Sequence, residues 1–363
     1  MPGLGITLGS KLTEFRLYRA WMPFGRMVAE GVKLALRYRG DGTASEFPTT
    51  LNVSVTNRCN LACECCYNRD NRGASELGIN DFASLVAQAA PYRAGIFLTG
   101  GEPLVRSDVF NILALSRKAG LKTGLVSNGI LLEPSMVDRL VGIGLDMVVL
   151  SVRGDRTLHD AEVNRPGAYD VLRNAAVRLA ERMPRSGIQL NYVLTGESSA
   201  TVEAFLDDVL PLPGVVVRLG HLSFATPSEA DAHKVVWKAR LGDAAPALFT
   251  FLHDVRPEQF ADLPRILTNR RHARLTTRPV LSPSECSEWY APGYASRRRC
   301  LFIWHSTNIQ ADGQVFPCQY YPYSMGNILE EPLQQIWNNK RYRSFRREIR
   351  RGLLPGCARC CKL

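Results

Sequence analysis

Residues 59–67 read Cys59-Asn60-Leu61-Ala62-Cys63-Glu64-Cys65-Cys66-Tyr67, which places four cysteines within eight residues. Three of them, Cys59, Cys63 and Cys66, have the spacing C-x3-C-x2-C. Three thiolates on one short loop can hold three irons of a [4Fe-4S] cluster. The fourth iron then lacks a protein ligand and is open to a substrate. Electron-transfer clusters use four cysteines as a rule, so three on one loop point to chemistry at the cluster. From this stretch alone, a zinc loop is the competing reading.

The sequence around the loop has a regular rhythm. Strand patterns cover 51–55, 95–99, 122–127, 146–152, 188–194 and 215–219, and helical patterns cover 79–90, 107–119, 134–143, 167–183 and 199–210. Six strands alternating with five helices predict an α/β fold with a parallel sheet. No Gly-x-Gly-x-x-Gly follows the first strand, so a dinucleotide fold is disfavoured. A partial (β/α)6 TIM-type barrel is expected, and such barrels carry their functional groups just past the C-terminal ends of the strands. The cysteine loop follows strand one, Gly100-Gly101-Glu102-Pro103 follows strand two and Asn128-Gly129 follows strand three. Ser151 ends strand four, and Asn191 lies on strand five.

Four regions are expected: a basic amphipathic helical extension (1–49), the core barrel (50–225), a linker or late barrel helices (226–299), with helical stretches around 243–255 and 257–271, and a small cluster-binding module (300–363). In the extension, Leu12, Phe15, Leu17, Trp21, Phe24, Met27, Val28 and Val32 supply apolar positions among Lys11, Arg16, Arg19, Arg26, Lys33, Arg37 and Arg39. Such a helix packs on its own domain or lies on a membrane surface. The net charge of +11 suits an anionic partner. Nucleic acid is disfavoured because no recognised binding module accompanies the charge. No apolar run is long enough to span a membrane and no secretory signal is evident, so a cytoplasmic location is expected. The ten cysteines cluster instead of spreading as pairs, which argues for metal binding in a reducing compartment.

The second cysteine group comprises Cys300, Cys318, Cys357, Cys360 and Cys361. Ala311-Asp312-Gly313-Gln314 reads as a hairpin turn with Val315-Phe316 opening the second strand. A helical stretch over 333–349 follows. A hairpin and a helix this short need a metal staple, with zinc or an iron–sulfur cluster as candidates.

Together these motifs resemble the radical SAM superfamily, in the members with a SPASM or twitch C-terminal extension. The resemblance covers roughly 50–220 and 300–363. It implies that Cys59, Cys63 and Cys66, followed by Tyr67, hold a [4Fe-4S] cluster whose open iron is chelated by S-adenosylmethionine. It implies that Gly100, Gly101, Glu102 and Pro103 receive the methionine amino group, and that Ser151, Asn191 and Asn128 contact ribose and carboxylate. A second, auxiliary [4Fe-4S] cluster would be held by Cys300, Cys318, Cys357 and Cys360, with Cys361 as the alternative to Cys360. Cys65 and Cys286 are spare thiols.

The chain departs from many relatives after strand four, where Ser151-Val152-Arg153-Gly154 replaces Ser-Leu-Asp-Gly. His159-Asp160 matches a family pair, but Val163 stands where an arginine is usual, with Arg165 two residues on. The implied activity is reductive cleavage of S-adenosylmethionine to a 5′-deoxyadenosyl radical that abstracts hydrogen from a substrate. An external flavodoxin- or ferredoxin-type donor would supply the electron. Oxidative modification of a small molecule or natural product ranks first, and peptide maturation or lipid modification second. No residue is assigned to catalysis. The rival from another class is a zinc-stapled nucleic-acid-binding protein using the basic stretch 340–347.

Overall fold

The computed structural model describes residues 24–63, 66, 75–246, 255–270 and 272–363. Its strands are β1 (Thr50–Thr56), β2 (Gly95–Gly100), β3 (Lys122–Ser127), β4 (Met147–Val152), β5 (Gly187–Leu194), β6 (Val215–His221), β7 (Leu275–Arg278), β8 (Ser306–Ile309) and β9 (Val315–Phe316). They form one sheet in the order β7-β6-β5-β4-β3-β2-β1-β8-β9. Strands β1 to β7 pair in parallel in sequence order.

The two faces of the sheet differ in chemistry because side chains alternate along a strand. Leu51, Val53, Val55, Ile96, Leu98, Val148, Leu150, Leu190, Val217 and Leu219 are buried on one face. They join Leu85, Ile112, Leu140, Leu172 and Leu206 of the crossover helices in one core. Each such Val, Leu or Ile contributes about 1.5–3 kcal/mol on burial. The opposite face carries Asn52, Thr99, Ser151, Asn191 and Arg218, all half-buried. This is the arrangement expected of a partial barrel, with an apolar outer layer and a polar concave face.

The barrel extends further than its sequence rhythm. β7 pairs with β6 over only four residues and lies inside the stretch expected to be a linker or late helices. Its sequence, Leu-Thr-Thr-Arg, is too short and too polar to stand out by periodicity. Helices Arg156–Glu162, Pro227–Leu241 and Pro283–Tyr290 also lie outside the expected set. The helix expected over 333–349 is two, Leu333–Trp337 and Lys340–Arg351. Asn339 starts the second by accepting the Tyr342 backbone N–H at 2.8 Å. A helix expected over 257–271 is a 3-10 turn, Pro257–Phe260, followed by Leu263–Asn269. The helix expected over 243–255 lies mostly outside the described residues, as does the extension before residue 24.

The C-terminal module is part of the sheet. β8 adds to the free edge of β1 in parallel, with Thr50 opposite Ser306 and Val53 opposite Ile309. β9 then turns back antiparallel, as the Asp-Gly turn predicts. Gly313 has φ +86°, and Asn327 Oδ1 would lie 2.5 Å from a Cβ there, so the turn admits glycine alone. Asn327 Nδ2 donates to the Asp312 carbonyl, joining the Asp312-Gly313 and Gly326-Asn327 motifs.

Helix Phe24–Tyr38 packs through Leu34 and Tyr38. Arg26 pins it by donating to the carbonyls of Tyr92 and Arg93 at 3.1 and 3.0 Å. Val28, Val32 and Leu36 remain exposed on it. Among the described residues no helix is long and apolar enough to cross a membrane.

Candidate functional site

The end of β1 and the turn after β2 are built as one unit. Gly101 N–H donates to the Thr56 carbonyl at 2.8 Å, and Glu102 N–H donates to the Arg58 carbonyl at 2.9 Å. A Cβ at Gly100, whose φ is +129°, would lie 2.2 Å from Thr56 O, and one at Gly101 would lie 2.1 Å from Arg58 O. The two glycines therefore let the turn lie directly on the backbone that enters Cys59. This ties the cysteine loop to β2 through main-chain bonds, whatever the side chains do.

Glu102 braces the same unit from inside. Its carboxylate is fully buried and accepts from Leu104 N–H at 3.1 Å, Ser127 Oγ at 3.0 Å and Asn128 N–H at 2.7 Å. Burial pushes its pKa up to about 7, against the opposing pull of those three donors. The resemblance gives this side chain to an ammonium group of the cofactor. In the structure its hydrogen bonds make it a strut joining the ends of β2 and β3.

Two further residues close the loop, and sequence reasoning passed over both. Arg106, 7% exposed, donates to the carbonyls of Val55 and Leu77 at 2.6 and 2.8 Å and pairs with Asp108. Glu76 takes Thr56 Oγ1 and the Arg58 guanidinium. Together they clamp both ends of the segment that carries the cysteines.

Cys59, Cys63 and Cys66 are half-buried. Cys59 and Cys63 rest on an apolar base of Leu61, Ile130, Val163 and Ala168. Val163, where an arginine was expected, is thus packing beneath the cysteines, and Arg165 is exposed. The Asn128 amide Nδ2 lies 3.8 Å from Cys59 Sγ and donates to Asn60 Oδ1 at 2.9 Å. Leu61 N–H points at the same sulfur from 3.5 Å. Ser151 and Asn191 are register partners across β4 and β5, so the fold brings these two together on the concave face. Arg153 is half-buried, and its N–H donates to His159 Nδ1 at 3.2 Å. Asp160 accepts the N–H groups of Gly167 and Tyr169, a structural brace. Tyr67 and Cys65 lie outside the described residues. Three thiols on one loop, two of them on an apolar base and one of them, Cys59, approached by N–H donors, fit a [4Fe-4S] cluster.

The second cysteine group also converges. Cys300, Cys318, Cys357 and Cys360 line one cavity with Phe302, Ile303, Tyr320, Tyr321, Phe345 and Ile349. Cys361 lies outside that lining, its Sγ 2.8 Å from Tyr320 OH and its N–H donating to Ser223. Burial pushes all four lining thiols up, Cys357 to about 12, and neighbouring thiols add to this for Cys318, Cys357 and Cys360. Such a site resists four bare thiolates and accepts them once metal charge replaces the protons. Among the described residues no three His, Cys, Asp or Glu side chains converge as a single metal ion requires. Four thiols around a cavity suit a wider body, and a [4Fe-4S] cluster fits. No disulfide joins the described cysteines. Cys286 is a buried spare thiol, pushed up to about 12 by burial.

Arg359, inside the Cys357–Cys360 turn, fixes this site and was not singled out by the sequence. Fully buried, it pairs with Glu229 at 2.5 Å and donates to the carbonyls of Trp289 and Ala291, each at 2.6 Å. The basic stretch 340–347 also has a structural role. Arg346 is buried between Trp337 and Tyr342 and donates to the Ile303 carbonyl at 2.9 Å. Arg347 and Arg350 bond the carbonyls of Asp41 and Tyr38. Within the stretch 340–347, Arg346 and Arg347 thus serve the fold, as does Arg350 just beyond it.

Comparison with known proteins follows the same two regions. A model of the radical SAM superfamily matches residues 53–209, and a model of the SPASM iron–sulfur cluster-binding domain matches residues 300–361. The AdoMet-dependent heme synthase of Methanosarcina barkeri (strain Fusaro / DSM 804) is 26% identical over 305 residues, covering 80% of this chain and 82% of that protein. The PqqA peptide cyclase of Gluconobacter oxydans (strain 621H) is 28% identical over 308 residues, covering 80% of this chain and 76% of that protein. The crystal structure of Streptococcus suis SuiB bound to S-adenosylmethionine shares the fold, with a TM-score of 0.60 at 18% identity over 91% of this chain and 76% of that one. The chain belongs to the radical SAM superfamily, as a member with a C-terminal SPASM iron–sulfur domain.

Proposed function

We propose that this enzyme oxidatively modifies a small molecule or natural product by hydrogen abstraction. One observation carries the reading: the Cys59 loop and the Gly100–Gly101 turn are hydrogen-bonded into one unit at the C-terminal end of the sheet. Cys59, Cys63 and Cys66 would hold the first cluster, and Cys300, Cys318, Cys357 and Cys360 a single auxiliary one. When bound, the first cluster and S-adenosylmethionine supply an electron and a hydrogen-abstracting radical. The chain's own residues bind and orient. The backbone of Gly100 and Gly101 permits close approach of the cofactor's amino end. Asn128 donates toward a cluster sulfur, and Ser151 and Asn191 offer hydrogen bonds to ribose and carboxylate.

An external flavodoxin- or ferredoxin-type donor in the cytoplasm would supply the electron. The exposed Val28, Val32 and Leu36 of helix Phe24–Tyr38 are the surface through which peripheral membrane contact would be made. Peptide modification is the second reading, favoured by likeness to the Gluconobacter oxydans PqqA peptide cyclase. Anaerobic reconstitution tests the proposal. About eight irons per chain are expected from two four-iron clusters, with reductant-dependent release of 5′-deoxyadenosine. A zinc-loaded chain, or S-adenosylmethionine left intact under strong reductant, would overturn it.

A further inference from the structure

Tyr321 touches two of the four thiols at the second cysteine site. Its backbone N–H bonds the Cys318 sulfur. Its hydroxyl Oη lies 3.1 Å from Cys357 Sγ, and the contact is buried. Cys318 and Tyr321 also form an isolated antiparallel bridge. The tight turn that carries Cys318 therefore aims the tyrosine ring at Cys357, a ligand from a different segment.

Both ends of that contact are held in place. His233 stacks on the Tyr321 ring, with centroids 5.2 Å apart and planes 13° apart, and Trp237 packs against it at 5.7 Å. The same His233 accepts the N–H of Gly356, the residue before Cys357, at Nδ1 from 3.4 Å. Helix Pro227–Leu241, which carries His233 and Trp237, thus positions both partners. While the sulfur keeps its proton, either atom could be the donor. A metal-bound thiolate has no proton, so the phenol O–H then becomes the donor. A hydrogen bond to an anionic acceptor is strong, and more so in a buried site of low dielectric. It stabilises the more negative, reduced state of a cluster, and hydrogen bonds to sulfur are among the features that set cluster potentials.

We propose that the Tyr321 hydroxyl donates to the Cys357 thiolate of the loaded second site and raises the reduction potential of the cluster held there. This rests on the reading that Cys300, Cys318, Cys357 and Cys360 hold an auxiliary [4Fe-4S] cluster. The test is a potentiometric titration of the reconstituted full chain, followed by electron paramagnetic resonance. Added S-adenosylmethionine alters the signal of the first cluster, so the signal that does not respond reports the second. Tyr321→Phe keeps the ring, its stacking and the backbone N–H, and removes only the hydroxyl. The variant should keep about eight irons per chain. Its second cluster should titrate at a more negative potential, by about 59 mV for a tenfold change in the ratio of oxidised to reduced cluster. The midpoint of the first cluster should not move. In deuterated buffer, pulsed resonance of the reduced wild-type second cluster should show a coupled exchangeable deuteron that the variant lacks.

The proposal is overturned if the second midpoint is unchanged or moves to a more positive potential. It is also overturned if Tyr321→Phe loses the second cluster's irons, which would make the hydroxyl a structural brace. A wild-type chain holding only about four irons, all responding to S-adenosylmethionine, would defeat the auxiliary-cluster reading itself. That outcome is read from the wild type alone and is distinct from a variant whose cluster is present but unshifted.

Discussion

The two cysteine sites are assembled in opposite ways. Cys59, Cys63 and Cys66 come from one short loop and remain half-buried, with Cys59 and Cys63 on a small apolar base. Cys300, Cys318, Cys357 and Cys360 come from three separated segments and meet around a cavity walled by aromatic side chains. The first site is a local chelate, needing only its loop to be held. The second exists only after β8, β9 and the final turn have docked. A local chelate can keep one metal position open to a ligand, whereas a site enclosed by its own fold serves to store charge or to hold segments together.

Replacing Cys59, Cys63 and Cys66 together with alanine tests this contrast most severely. It should abolish 5′-deoxyadenosine formation while leaving about four irons per chain, measured by iron assay and product chromatography. Loss of all iron would show that the second site depends on the first. Gly101→Ala should come next, because its Cβ would lie 2.1 Å from the Arg58 carbonyl. Overpacking of this kind costs about 1–3 kcal/mol, so occupancy of the first cluster should fall roughly tenfold or more, while the second is retained. Wild-type occupancy would break the link drawn between turn and loop.

At the second site, Cys360→Ser should remove about four irons and Cys361→Ser none, because only Cys360 lines the cavity. The reverse pattern would reassign the ligand. The smallest effect concerns Glu102. Its folded pKa, raised to about 7 from 4.5, means that the folded state holds the proton more tightly than the unfolded chain does. Stability is then greatest below the unfolded value and declines as pH rises toward about 7, by on the order of 3 kcal/mol. Glu102→Gln should flatten this slope in anaerobic urea unfolding across that window. It should also cost about 1–3 kcal/mol, because an amide cannot accept from all three donors. An unchanged slope would assign the pH dependence to another group.

What was legible in the sequence follows from range. The six-strand rhythm, the Cys59 loop, the Gly100–Gly101 turn and the Asp312-Gly313 hairpin are local patterns, set by side-chain alternation, spacing and backbone freedom, and each stands where the sequence puts it. β7 was not legible, since four residues with mixed polarity carry no period and are defined by their partner β6. Arg106, Arg346 and Arg359 read as charges to be solvated, because nothing nearby in sequence announces the carbonyls and carboxylates that receive them. The sequence by itself determined the fold class, the three-cysteine loop and the set of cysteines available for a second site. Only the tertiary structure decided that β8 joins β1, that Cys360 and not Cys361 lines the cavity, and that Tyr321 meets Cys357. Those outcomes depend on contacts between segments tens to hundreds of residues apart, for which no local propensity exists.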